Sequence, residues 1–359
     1  MKIRVQLIVI AILVVLFVSA CGNNEKSSTG DSSSSKDKIE LMLGSPHPTV
    51  HHAHKNVYLP WEAEVEEKTN GKVAVEVFPG AQLGGPDTAL DDVSSGVYDV
   101  GLLTINHELD TPLFPFSIGT LPFAFPDTAT ASNALKKFHE KHYPKNFNKV
   151  TPLGPFTGTD PYILFSAKPI EKVEDLKGMK VSFLGGDALS NLITAWGATP
   201  VSMDATEVYQ SLERGTIDAT IFSLVGGKGF KFHEVAPYLV KIGLTNVPIL
   251  LVANTSVYDG LPDDVKGVLE NDLYGFMPNA FKESFINEEE SALATMEKEI
   301  EGKGKVILLS PEEEQKFMAP AEKIWDAWVE EANSKGFDGE QLMADFKQIL
   351  EEEGVKLPF

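Results

Sequence analysis

Ile39-Glu40-Leu41-Met42-Leu43 and Val73-Ala74-Val75-Glu76-Val77-Phe78 frame the stretch that decides the fold. Both alternate in side-chain character, the period of a strand with one face turned inward. Gly44-Ser45-Pro46-His47-Pro48 breaks the first run, and Asn70-Gly71 is a turn before the second. Between them Val57, Trp61 and Val65 recur every fourth residue with acids interspersed, which predicts a helix over 57–69. Strand, helix and strand in this order make the parallel crossover unit.

The same alternation continues outward. Helices are expected over 88–95, 128–142, 188–196 and 206–214. Strands are expected over 98–103, 162–165, 179–183, 199–201, 217–221, 239–244 and 249–253. The stretch 112–126 is rich in Pro and Phe and too apolar to be solvated, so it reads as a packed irregular segment. From 262 to about 301 the chain is almost continuously helical, with a kink expected near Pro278. A last strand over 306–309 and helices over 311–335 and 339–353 follow. The pattern defines an α/β protein of two lobes with a long bridging helix and C-terminal helices. The expected division is 39–159 plus about 248–288 for lobe 1, and 160–247 plus about 289–310 for lobe 2. Residues 311–359 are expected to pack as helices on both. Two open α/β sheets facing one another make a cleft that can close on a solute.

The N-terminus is of another kind. Met1-Lys2-Ile3-Arg4 precedes an unbroken apolar run over 7–18 and the exit Ser19-Ala20-Cys21. This reads as a secretory signal over 1–20, too short to span a bilayer, which needs about 20 apolar residues. Val18-Ser19-Ala20-Cys21 resembles the bacterial lipobox. It implies that Cys21, the single cysteine of the chain, is acylated and anchors the protein to the membrane on its extracytoplasmic face. The serine-rich stretch over 21–38 is a flexible tether.

About 320 residues remain, enough for two ordinary domains. The formal charge of −21 becomes −23 once Lys2 and Arg4 leave with the signal. So acidic a chain is a poor partner for nucleic acid or for an anionic lipid surface.

Catalytic signatures are missing. There is no G-x-S-x-G elbow, P-loop, G-x-G-x-x-G or H-E-x-x-H, so no enzyme and no cofactor are expected. His139-Glu140-Lys141-His142 is one residue short of the last and reads as a solvated helix end. Gly226-Gly227-Lys228-Gly229 reads as a flexible loop. His47, His51, His52 and His54 fall within eight residues. Either His47 lines the cleft while the others face water, or the four form a metal site and the protein is a metal-binding lipoprotein.

Several blocks resemble one family. They are Asn70-Gly71-Lys72 through Gly84, Leu121-Pro122-Phe123-Ala124-Phe125, Glu174-Asp175-Leu176-Lys177-Gly178-Met179-Lys180, Gly197-Ala198-Thr199-Pro200-Val201 and Gly215-Thr216-Ile217-Asp218. Together they resemble the DctP-type solute receptors of tripartite ATP-independent periplasmic (TRAP) transporters, over about residues 39–345. The resemblance implies a two-lobed periplasmic-binding fold of type II. It implies a receptor that catches a small organic solute in the interlobe cleft and delivers it to the small and large subunits of a membrane permease. An ABC-type receptor is the alternative.

In that family an arginine commonly pairs with the carboxylate of the ligand. Here Ser182 stands at that position, Tyr162 at a second arginine position and Phe222 at a common asparagine. With Asn106, Glu108, Asp160, His47 and His51 these are the expected ligand-binding residues. A buried carboxylate without a cation is expensive. The substitutions therefore point to a polyol, an amine, or an acid bridged by a metal. If a cation is supplied elsewhere, His47, His51 and Lys228 are the candidates.

Overall fold

The computed structural model describes residues 38–357. The expected signal over 1–20, the tether short of Lys38, and Cys21 with its acylation lie outside the described residues.

Two six-stranded sheets organise the described chain. The first opens with β1 (Ile39–Gly44) and β2 (Val73–Phe78), joined by a π turn at His54–Tyr58 and α1 (Leu59–Lys68). They pair in parallel, Ile39 opposite Val73 and Gly44 opposite Phe78. A parallel pair requires such a crossover. After α2 (Ala89–Ser95) comes β3 (Val100–Thr104). α3 (Thr128–His142) then leads to the short β4 (Val150–Pro152) and β5 (Thr157–Gly158).

The second sheet takes β6 (Tyr162–Ser166), β7 (Lys180–Phe183), α4 (Asp187–Ala195), β8 (Thr199–Ser202), α5 (Ala205–Glu213) and β9 (Ala219–Ser223). α6 (Leu224–Gly229), α7 (Phe232–Val235) and β10 (Tyr238–Val240) follow. The chain then returns to the first sheet as β11 (Pro248–Asn254), antiparallel to β3, β4 and β5. All seven residues of β11 are buried, as a near-continuous apolar run covered on both faces should be. α8 (Thr255–Gly260), α9 (Asp263–Asn271) and α10 (Phe276–Glu299) lead to β12 (Lys305–Ile307), which closes the second sheet beside β10. α11 (Pro311–Met318), α12 (Ala321–Ser334) and α13 (Gly339–Glu352) finish the fold. The sheet orders are β2-β1-β3-β11-β4, with β5 also on β11, and β12-β10-β6-β9-β7-β8.

The two sheets are linked by chain at three places: β5 to β6, β10 to β11, and through α10 to β12. α10 packs on α3 and β5 along one part and on α6 along another.

The structure corrects five expectations. The long late helix is two helices, and the break falls at Gly275, whose φ of +80° suits glycine. Pro278 lies in the first turn of α10, where no intrahelical N–H bond is due, so it produces no kink. The helix expected over 311–335 is interrupted at Ala319 and Pro320. Gly226-Gly227-Lys228-Gly229 is helical, within α6. Ser223 caps that helix by accepting from Gly226 N–H at 2.8 Å. Its glycines are there for close packing: a Cβ on Gly227 would come within 2.2 Å of the Phe165 ring. The end of α3 is packed rather than solvated. His139 is buried and stacks on Tyr143 at 4.6 Å, and His142 Nε2 lies 3.1 Å from Asp345.

Candidate solute-binding cleft

One cavity of about 80 Å³ lies between residues of the two sheets and α10. Its first wall grows from the loop after β1, where Pro46 and Pro48 end the strand. His47 and His51 line it, stacked at 4.2 Å between ring centres. Each ring is held by its own local partner. His47 Nδ1 is 2.9 Å from the Tyr58 hydroxyl, and Ala53 N–H donates to His51 Nδ1 at 3.2 Å. A π turn follows directly, a feature that often marks functional sites.

The second wall comes from the other sheet. Tyr162 opens β6 and Phe222 sits on the neighbouring β9, their rings 5.5 Å apart. Phe230, just past α6, is 5.8 Å from Phe222 and 5.8 Å from His51, so it touches both walls. α10 supplies the remaining side. Phe281 and Phe285, four residues apart, present one helical face to the cavity. Thr104, Thr159 and Ser223 add hydroxyls.

The expected site residues therefore divide. His47, His51, Tyr162 and Phe222 meet in the cavity. Asn106, Glu108, Asp160 and Ser182 are buried but do not line it. Asn106 is engaged with the Gly185 carbonyl at 2.8 Å. Asp160, with no exposure, accepts the Val225 N–H at 2.9 Å and so caps α6. Ser182 is sealed within β7, flanked by β8 and β9, and its hydroxyl has no hydrogen-bond partner. Glu108 is buried near the segment after β3, where Asp91 and Lys149 act on it across space.

The histidine cluster is also placed differently from expectation. His51 and His52 are buried, not turned to water. The His47 and His51 rings stack, His52 lies tilted against His51, and the described residues hold no group of three His, Cys, Asp or Glu fit to bind a metal. His52 Nδ1 is 2.7 Å from Ser284 Oγ on α10, so it ties the cluster to that helix.

The electrostatics follow from burial. Burial lowers His47 to about 4. His51 is pushed well below 6.5 by burial, helped by repulsion from His47 and His52. Both rings are neutral at pH 7. Burial raises Asp160 to about 7, against the Ser223 hydroxyl and the Val225 N–H. No lysine or arginine lines the cavity. Arginine occurs only at positions 4 and 214, and Arg214 follows α5 on the exposed surface. Lys228 lies in the last turn of α6 outside the lining, where its charge helps to depress His52.

Phe230, Phe281, Phe285 and His107 were missed in sequence reading. Only the four-residue spacing of Phe281 and Phe285 on a helix was available to signal them.

Two six-stranded sheets with an aromatic-lined cavity between their residues define a two-lobed periplasmic-binding fold. Residues 43–332 match the family model of bacterial extracellular solute-binding protein family 7, DctP, and the chain belongs to that family. Its sequence is 26% identical over 271 residues to the C4-dicarboxylate-binding periplasmic protein DctP of Vibrio cholerae, covering 74% of this chain and 78% of that one. Against the uncharacterised protein YiiZ of Salmonella typhimurium it is 26% identical over 214 residues, 58% of this chain and 64% of the relative. A solved TRAP periplasmic solute-binding protein of Desulfovibrio salexigens superimposes with a TM-score of 0.73 at 27% identity, over 90% of this chain and 99% of the other. Among the described residues no helix is long and apolar enough to cross a membrane.

Proposed function

We propose that this chain is a receptor for a small, uncharged organic solute, held in the interlobe cleft and passed to a TRAP permease. The observation that carries this is the absence of any lysine or arginine from the cavity lining, whose three histidines, His47, His51 and His107, are all lowered below the ordinary value by burial. A carboxylate enclosed there would lose its hydration without gaining a counter-charge. An ammonium would fare little better, because Asp160 and Glu108 lie outside the lining and burial raises both to about 7. An uncharged body with one or two polar groups suits aromatic walls interrupted by hydroxyl and imidazole groups. The relatives support a TRAP permease over an ABC partner. The lipobox supports anchoring through Cys21 on the extracytoplasmic face of the cell membrane.

The test is a thermal-shift screen of the purified chain against amides, polyols, amines and carboxylates, with and without EDTA. A solute at 100 times its Kd adds about 2.7 kcal/mol of stability. Neutral solutes should shift the midpoint and EDTA should change nothing. A shift produced by carboxylates alone would sink the reading. For the anchor, Cys21→Ser should move the protein from the membrane to the soluble fraction.

A further inference from the structure

The cleft lacks charge, yet it holds well-placed donors. His51 accepts the Ala53 N–H at Nδ1. A neutral imidazole that accepts at one nitrogen carries its proton on the other, so His51 is the Nε2–H tautomer. Its Cδ2–Nε2 edge faces α6: a Cβ built on Gly229 would stand 2.6 Å from Cδ2 and 3.3 Å from Nε2.

His47 is set by its local partners. Its backbone N–H donates to Ser45 Oγ at 3.1 Å, and the buried Tyr58 phenol stands 2.9 Å from His47 Nδ1. That nitrogen is the phenol's hydrogen-bond partner among the described residues, so the buried phenol places its proton on that contact. His47 is then also the Nε2–H form. Neither Nε2 meets a partner among the described residues, while both rings line the cavity. The third ring of the cluster, tilted against His51, differs: His52 Nε2 is buried and unpartnered, away from the lining.

We infer that His47 and His51 form a paired donor site, whose two Nε2–H groups hold a neutral carbonyl oxygen of the solute while Phe222, Phe230, Phe281 and Phe285 enclose its apolar body. This rests on the reading of the solute as uncharged and names the group by which it is recognised. The two histidines thus occupy the role that a cation would fill for an acid. Neutral donors satisfy a carbonyl fully, whereas they leave a carboxylate without the counter-charge that burial demands.

The test labels the full chain with 15N-histidine and assigns the two rings with His47→Gln and His51→Gln. Long-range proton–nitrogen spectra at pH 7 should show both rings neutral and protonated at Nε2. Titration with acetamide and benzamide should move both Nε2 signals. His51→Phe should weaken benzamide binding by roughly tenfold, the scale of one hydrogen bond. His51→Gln, which keeps an N–H at similar reach, should recover part of that loss. An Nδ1–H tautomer at either ring would overturn the inference, with no variant needed. So would benzamide binding that leaves both signals still, or no response to either amide at its solubility limit. Benzoate serves as the separate control. If it binds more tightly than benzamide, the uncharged-solute reading fails, and movement of both Nε2 signals would still uphold the donor pair.

Discussion

Asn106 Nδ2 donates to the carbonyl of Gly185 at 2.8 Å, and so joins the segment after β3 to the loop after β7 across the cleft. Beside it, His107 Nε2 lies 3.6 Å from Asp204 Oδ1, a second contact between the same two sides. Together they form a clasp between the two sides of the cleft. Asn106→Ala should leave the fold intact and speed solute release by about 3- to 10-fold, as expected for one neutral hydrogen bond. Stopped-flow dissociation of a bound solute would check this. An unchanged off-rate would mean the contact follows closure without sustaining it.

Stability should peak between about pH 6 and 7. Burial holds His47 and His139 at about 4 and His52 at about 3, and drives His51 well down, all from an ordinary 6.5. Below that value the unfolded chain takes up protons that the native state refuses, so stability falls as pH drops. Asp160 and Glu108 act oppositely: burial raises both to about 7, so the native state keeps protons that the unfolded chain releases, and stability is lost as pH rises toward 7. Between about 4 and 6.5 the four histidines outnumber the two acids, and the net trend is upward. Thermal midpoints across pH 4 to 9 would reveal the peak; a maximum below pH 5 would refute the assignment. Asp160→Asn keeps an acceptor for Val225 N–H and should raise the midpoint at pH 8, with a smaller gain at pH 5.

Two glycines of α6 should separate folding from closure. Gly227→Ala would drive a methyl into the Phe165 ring inside the second sheet, at a cost of about 1–3 kcal/mol. Gly229→Ala would instead meet His51 from the opposite wall, with contacts of 2.6 Å and 3.3 Å. Its midpoint should change less than that of Gly227→Ala, while solute affinity falls. Paired melting and calorimetric titration of both variants would distinguish them. Equal losses of stability would refute the division.

Ser182→Ala should not weaken solute binding and should stabilise the fold slightly. The Ser182 hydroxyl is buried and unpartnered, so its removal ends a desolvation cost. A clear loss of affinity in calorimetry would place this hydroxyl in contact with the solute after all.

Much of the fold was legible because long elements repeat their pattern. α3 was expected over the residues where it is found, and β11 stood out as an unbroken apolar run. β4 and β5, of three and two residues, are too short to show a period. The glycines of α6 look like a loop until Phe165 is seen against them. In the site, the family resemblance raised the expectation that Ser182, Tyr162 and Phe222 depart from the usual pattern, and two of the three do line the cavity. It could not show that Ser182 is sealed, or that Asp160 is engaged by Val225, 65 residues away. Local spacing does not encode such distant partners, nor the ring stack that buries His51.

The three chain connections between the sheets, with α10 packed along both, leave the molecule few ways to open. Tyr162, Phe222, Phe281, Phe285 and His51 are nearly inaccessible to solvent while it is shut. Anything inside must wait for one shared movement of the protein. Escape of chemically different guests therefore has a common speed limit, set by the hinge and not by the guest. Selectivity then resides in how long each guest lets the doors stay shut.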